Sequence, residues 1–343
     1  MERSTLLLSA DEIARCLHLE EAIRAVDDAF RAYHRKEAAM PPKSYVDLPD
    51  HGGDVRSMPS RVGDAVAMKW VNSHPHNRER FGLPTVIGTL ILTDPATGWP
   101  LSIMDATVLT AFRTGAAAAV ATNVLARSDA KSLGIVGAGT QASYQIAAIS
   151  HVRALSRLVV SDVRLDAAEK LADRVRKFAP DLDVRAGTVE AAAGCDIVST
   201  LTPSHKPILK RDWISNGAHV NALGADAAGK QELDPDILGD AVVVVDDWGQ
   251  ATHSGEVNVP LTTGVLRPEH IRGTLGAILE RAIPGRSKPK EITVFDSTGL
   301  AIQDAAVARV VFERAQREGL GTRVDLVKVG HEIPDVLAQM RKA

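Results

Sequence analysis

The apolar positions of this chain change period three times. From Ser9 the pattern is helical: Ser9-Ala-Asp-Glu12 has the form of a capping box, and Ile23, Val26, Phe30 and Tyr33 recur at helical spacing to about residue 38. After Met40-Pro41-Pro42 the period becomes that of strands. Residues 43–48, 55–58, 65–72, 85–93 and 101–105 read as strands, separated by turn sequences at 49–53, 61–64 and 94–98. Short strands joined by short turns predict an antiparallel meander. An alanine-rich helix follows over 106–127.

Beyond residue 127 strands and helices alternate. Strands are predicted at 133–136, 158–161, near 184, and at 196–200, 219–222, 242–246 and, last, 292–295, with helices from 142, over 166–178 and over about 300–318. Alternation of this kind predicts a Rossmann-type doubly wound parallel sheet. The expected fold is therefore α/β in two domains. Residues 1–127 form an α+β unit with the meander, and residues 128–318 form the wound sheet. The pattern leaves open whether 319–343 return to the first unit.

Between the first two strands of the wound sheet lies Gly137-Ala138-Gly139-Thr140-Gln141-Ala142, a match to G-x-G-x-x-G/A where strand gives way to helix. Gly137 permits the tight turn, Gly139 lets the backbone approach a pyrophosphate, and the helix N-terminus offers unpaired N–H groups to the anion. The second strand ends on Asp162, near the distance expected for an acid gripping the adenosine ribose hydroxyls. An acid there favours NAD over NADP, whose 2′-phosphate it would repel; Arg164 tempers that preference.

Composition narrows the classes. With 343 residues there is room for about two domains, and a net charge of -3 without long Lys/Arg runs gives no field for a nucleic acid. Cys16 and Cys195 read as reduced, structural thiols; neither a disulfide nor a metal site is expected. Leu6-Leu7-Leu8 is too short for a signal peptide. No apolar run approaches the roughly 18 residues of a membrane span. The expected address is the cytoplasm.

Candidate chemistry comes from charges in apolar surroundings. Lys69 sits in Val66-Ala67-Met68-Lys69-Trp70-Val71, and Arg113 in Leu109-Thr110-Ala111-Phe112-Arg113-Thr114-Gly115-Ala116. A charge so placed is costly unless paired or facing a polar cleft, although an edge-strand lysine can simply reach solvent. Together with Lys43 and Arg56 in the meander, these cations can hold a substrate carboxylate; the latter two read equally well as solvated strand residues. On the other side, His219-Val220-Asn221-Ala222-Leu223-Gly224-Ala225-Asp226 runs from a strand into a Gly/Ala loop at the edge where ligands bind. Asp226 can take a proton from an amine or orient a water, or merely cap the next turn.

With these residues in view the chain resembles the ornithine cyclodeaminase/mu-crystallin family. The motifs that carry the resemblance are Met40-Pro41-Pro42-Lys43, Gly53-Asp54-Val55-Arg56-Ser57-Met58-Pro59, Lys69-Trp70-Val71-Asn72-Ser73-His74-Pro75 and Gly82-Leu83-Pro84-Thr85, then Arg113-Thr114-Gly115-Ala116, the Gly137 loop, the stretch from His219 to Asp226, and Asp296-Ser297-Thr298-Gly299-Leu300. The resemblance implies a homodimer joined through the meander units, a C-terminal segment that rejoins the first unit, and an NAD-dependent reaction at the CH–NH2 or C=N group of a small amino or imino acid. It places the catalytic aspartate on Asp226 and the carboxylate-binding cations on Lys69 and Arg113. Cofactor contacts fall on Thr85, Arg113, Thr114, Gly137, Gly139, Thr140, Gln141, Asp162, Thr202, Asn221, Leu223, Lys230 and Ser297.

One position separates family members. Arg56 stands where ornithine-cyclising enzymes carry a glutamate for the distal ammonium, although Asp54 nearby can in principle receive an amine. The pattern around Arg56 is closer to the archaeal-type alanine dehydrogenases, so a short amino acid without a distal amine is expected. Ornithine cyclisation, reduction of a cyclic ketimine, and a crystallin-like dinucleotide-binding role with little turnover are the alternatives.

Overall fold

In this computed structural model residues 4–327 are described. The chain opens with β1 (Thr5–Leu8), α1 (Ala10–Cys16) and α2 (Leu19–His34). Ser9 caps α1 as its sequence predicts: its hydroxyl accepts the Glu12 N–H, and the Glu12 carboxylate accepts the Ser9 N–H. There follow β2 (Ala38–Ala39), β3 (Ser44–Leu48), β4 (Gly53–Val62), β5 (Ala65–Ser73), α3 (Asn77–Phe81), β6 (Val86–Thr93) and β7 (Pro100–Asp105). From β3 to β7 each strand pairs antiparallel with the next, the meander that the period-2 pattern predicts. Leu6-Leu7-Leu8 is a strand rather than a bare apolar run. It pairs parallel with β7, so the sheet is not purely a meander.

The alanine-rich stretch forms α4 (Thr107–Leu125). This helix is long and apolar enough, by length and composition, to cross a membrane, which corrects the expectation that no run reaches that size. Its small side chains let helices pack closely on every side, so most of it is buried inside the protein.

The second sheet holds β8 (Ser132–Val136), β9 (Arg157–Ser161), β10 (Asp183–Ala186), β11 (Ile197–Thr200), β12 (His219–Ala222), β13 (Val242–Val245), β14 (Ile271–Thr274) and β15 (Thr293–Asp296). Their spatial order is β10-β9-β8-β11-β12-β15-β13-β14, and every pairing is parallel. The connections include α5 (Thr140–Val152), α6 (Leu165–Phe178), α7 (Val189–Ala193), α8 (Pro235–Asp240), α9 (Trp248–Ser254), α10 (Asn258–Thr262) and α11 (Leu275–Leu279). The chain leaves β8 toward β9 and β10, then crosses back to β11, which opens a crevice at the carboxyl ends of β8 and β11. β14 escaped the sequence reading because Ile-Arg-Gly-Thr is short and polar and carries a bulge at Gly273, φ +143°.

The strand at 292–295 is not the last. After it come α12 (Ala301–Glu318) and β16 (Thr322–Val324), which pairs antiparallel with β1 at the edge of the first sheet. α12 packs on α2, β4 and β5. Of the expected return of 319–343, residues 328–343 lie outside the described residues. A single apolar cluster runs from Leu6, Val26 and Phe30 through Leu90 and Leu109 to Val244, Phe295 and Phe312, crossing between the sheets. Phe30 and Phe295 meet edge-to-face at 6.4 Å, a geometry that adds about 0.5–1.5 kcal/mol to their burial.

Candidate active site

The crevice end of the second sheet is built around the glycine turn. Gly137 has φ +103°, and a Cβ there would lie 3.1 Å from the Leu201 carbonyl oxygen, so only glycine fits the turn. A Cβ on Gly139 would meet nothing within 4 Å. The backbone there faces open space at the start of α5, whose first turn, from Thr140, has no side-chain cap. Gln141 Oε1 lies buried beside it without a partner. Free N–H groups and open space fit a dinucleotide pyrophosphate. Ala142 is fully buried under the turn.

Asp162 ties this turn together. Its Oδ2 accepts the Ala138 N–H at 2.7 Å and its Oδ1 the Arg164 N–H at 2.8 Å. Across the crevice, Thr202 gives its N–H and hydroxyl to Glu232 Oε1 at 2.7 and 2.8 Å. Leu223 donates its N–H to the Thr200 carbonyl, and Asn221 donates to Thr122 Oγ1 at 3.0 Å. Ser297 donates to Asp246 Oδ2, and Thr114 to the Thr110 carbonyl. Thr85 belongs to the first sheet, in the exposed loop before β6, where its carbonyl accepts the His74 N–H.

Two cations of the first unit converge on α12. Lys69, 1 % exposed on β5, pairs with Asp304 Oδ2 at 2.8 Å and donates to Thr110 Oγ1 at 3.3 Å. Arg113 on α4 donates Nε to Asp304 Oδ1 at 3.1 Å and a terminal nitrogen to Gln303 Oε1 at 3.2 Å. Burial, and then the Arg113 charge, pull the Lys69 ammonium down to about 7, against the pull of Asp304. Below about pH 7, with Lys69 charged, two cations on one buried carboxylate leave an excess positive charge that can take one further anion.

A second cluster centres on Asp226. Its Oδ2 lies 2.8 Å from Arg56 Nη1 and its Oδ1 2.5 Å from Lys230 Nζ. Burial pushes its carboxyl up, but the two cations more than offset this and hold it well below the usual carboxylate range. The opposite edge of Arg56 grips both oxygens of Asp54, at 2.6 and 2.9 Å. An amine reaching Asp54 would therefore have to share its oxygens with Arg56. The Lys43 ammonium donates to the Thr298 carbonyl at 2.6 Å, and burial brings it down to about 8 while Asp246 pulls upward.

Asp304 and Gln303 escaped the sequence reading, although Ala301-Ile302-Gln303-Asp304-Ala305-Ala306-Val307 carries the signal that marked Lys69: a charge alone in an apolar helix. A buried chain of acids escaped it too. Glu232 holds Thr202 and Gly224, Glu256 holds the N–H groups of Glu232 and Leu233, and Asp296 holds those of Glu256 and Val257. Asp246 accepts from Thr298 and Gly299. These carboxylates shape the crevice loops, a task their sequence neighbours do not reveal. Burial pushes Asp296 up to about 8.

His219, fully buried under Asn221, lies 2.9 Å from Thr293 Oγ1 and 3.1 Å from Asn221 Oδ1. Burial depresses it to about 3, so it is neutral in the folded protein. A base depressed in this way contributes stability that is fully present above its unfolded value of 6.5 and lost as pH falls toward 3. Between about pH 6 and 4.5, the wild type is expected to lose about 1.4 kcal/mol per pH unit more than His219→Gln, read from urea midpoints. Parallel lines would mean that His219 accepts a proton without unfolding.

The model of the ornithine cyclodeaminase/mu-crystallin family matches residues 3–319. Alanine dehydrogenase of Archaeoglobus fulgidus is 43% identical over 327 residues, covering 95% of this chain and 99% of its own. A solved archaeal alanine dehydrogenase dimer with bound NAD superposes with a TM-score of 0.92, at 43% identity over 95% of this chain and 100% of that one. The Thermococcus litoralis Δ1-pyrroline-2-carboxylate reductase, in complex with NADH and L-proline, superposes with a TM-score of 0.91, at 35% identity over 93% of this chain and 100% of that one.

Proposed function

The chain belongs to the ornithine cyclodeaminase/mu-crystallin family, and we propose that within it this protein is an alanine dehydrogenase, converting L-alanine, NAD and water to pyruvate, ammonia and NADH. It is an NAD-dependent oxidoreductase of the CH–NH2 or C=N group. The observation that supports this substrate is Arg56, held between Asp54 and Asp226, at the position that the family resemblance gives to a glutamate for a distal ammonium.

The substrate carboxylate is taken by Lys69 and Arg113, with Arg56 and Lys43 beside them. Asp226 takes a proton from the substrate ammonium and then positions the water that hydrolyses the imine. Bound nicotinamide supplies the hydride acceptor for Cα, or the donor in the reverse direction. Gly137, Gly139, Thr140, Gln141 and Asp162 would hold the dinucleotide from one side of the crevice. Thr85, Arg113, Thr114, Thr202, Asn221, Leu223, Lys230 and Ser297 would complete its contacts.

We assign residues 1–127 to substrate binding and dimerisation and residues 128–318 to the dinucleotide, with α12 and β16 packed back on the first unit. Val46, Met68 and Trp70 stand exposed on one face of the first sheet, as a homodimer contact there requires.

The test is a panel read by NADH absorbance: pyruvate with ammonia, pyrroline-2-carboxylate, piperideine-2-carboxylate, and L-ornithine with NAD assayed for proline. Pyruvate amination is expected to be fastest. A close Arg56–ammonium pair costs about 1–4 kcal/mol near a surface, so ornithine should be disfavoured by about fivefold to several-hundredfold. Proline formed at the rate of pyruvate amination overturns the substrate assignment. Faster turnover of a cyclic imine makes the protein a ketimine reductase instead.

A further inference from the structure

Asp226 so held is a poor base, because each of its oxygens already accepts from a cation: Arg56 on Oδ2 and Lys230 on Oδ1. A carboxylate in two charge-assisted hydrogen bonds has little tendency to accept a proton. We propose that the substrate's own carboxylate arms this base, by drawing the Arg56 Nη1 corner away from Asp226 Oδ2 and leaving that oxygen to receive the ammonium proton. This deepens the reading of Asp226 as the base and rests on it.

The geometry gives Arg56 one movable corner and one fixed edge. Nε and Nη2 are held by the two oxygens of Asp54 at 2.6 and 2.9 Å, and the guanidinium carbon lies 5.4 Å from the Tyr45 ring centre. Only Nη1 reaches toward Asp226, at 2.8 Å from Oδ2 and 3.4 Å from the main-chain oxygen. A small pivot about the Asp54 edge re-aims that corner without uncovering a buried charge. Lys230, four residues along the loop, keeps Oδ1 and so keeps the carboxyl plane in place. The proton balance is simple. The substrate ammonium loses one proton to Oδ2, giving a neutral amine with its lone pair free and a neutral Asp226 carboxyl, while the Nη1–H bond passes from Asp226 to the substrate carboxylate.

The charged groups facing Asp226 are Arg56 from β4, Lys230 from its own loop and Lys43 from the segment before β3. Asp54 acts on it through Arg56. Asp246 and Arg113 act through Lys43, and Tyr45 lies against Arg56 without charge at neutral pH.

A pH profile separates this from a fixed carboxylate contact. The acidic limb of kcat/KM reports the enzyme before the amino acid binds, with Asp226 still clamped, and the acidic limb of kcat reports the ternary complex. For the wild type with L-alanine and saturating NAD, the limb in kcat is expected at least about one pH unit above the limb in kcat/KM. In Arg56→Gln the two limbs should coincide, together with a KM for alanine raised about tenfold or more. Coincident limbs in the wild type overturn the proposal, and so do limbs that stay apart in Arg56→Gln. The wild-type comparison stands even if the variant does not fold. Full turnover by Asp226→Asn would instead sink the base assignment itself, a different failure from coincident limbs in an enzyme that Asp226→Asn inactivates.

Discussion

Asp226→Asn is expected to lower kcat for alanine oxidation by about 10²–10⁴-fold, the usual contribution of a positioned general base. Asparagine keeps the shape and can still accept a bond from Arg56 or Lys230, but its amide cannot take a proton at any working pH. NADH binding, read by fluorescence titration, should change by no more than a few-fold, because in the proposed arrangement the pyrophosphate lies against Gly137, Gly139 and the open start of α5, and the Asp226 loop would add only Leu223 and Lys230. Loss of turnover with retained cofactor affinity therefore places the defect in proton handling. Turnover within a few-fold of wild type would move the base elsewhere, and Lys69, brought near neutrality by burial, is the group to examine next.

Sequence periodicity captured the parts of this molecule in which one face of an element decides its fate. The capping box at Ser9, the meander and the alternation after residue 127 are patterns of that kind. The glycine turn was legible because φ and close approach leave no choice at Gly137. Other features depend on partners that the local pattern does not show. β1 is four residues whose strand character comes from β7 and β16, and β14 owes its pairing to β13. Lys69 and Arg113 were conspicuous as charges among apolar neighbours, yet nothing local says that a single acid on α12 serves both. Arg56 and Asp54 lie two apart on β4, both in reach of one another only because Arg56 bends back along its own strand. The division of labour among Glu232, Glu256, Asp296 and Asp246 is likewise invisible in one dimension, since each binds the backbone of a loop that another acid has shaped.

Asp304→Ala should cost about 3–5 kcal/mol of folding stability, because it leaves the buried Arg113 without its counter-charge and forces Lys69, already brought down to about 7, to give up its proton. Asp304 is 1 % exposed, and its partners Lys69 and Arg113 are 1 % and 7 % exposed, so water cannot replace the lost carboxylate without opening the helix contact. A thermal midpoint lower by about 4–7 °C is the corresponding expectation for a chain of this length. The site would suffer as well, since the same acid sets where the Lys69 ammonium and the Arg113 guanidinium point. Lys69→Met offers the control, since it removes one of the two cations while keeping a similar apolar stem in the core. In the Asp304→Ala/Lys69→Met double variant the loss should be smaller than the sum of the two single losses by about 1–3 kcal/mol. Additivity to within about 0.5 kcal/mol would mean that Asp304 and Lys69 are neighbours without energetic coupling, and that Arg113 alone is what the buried carboxylate holds.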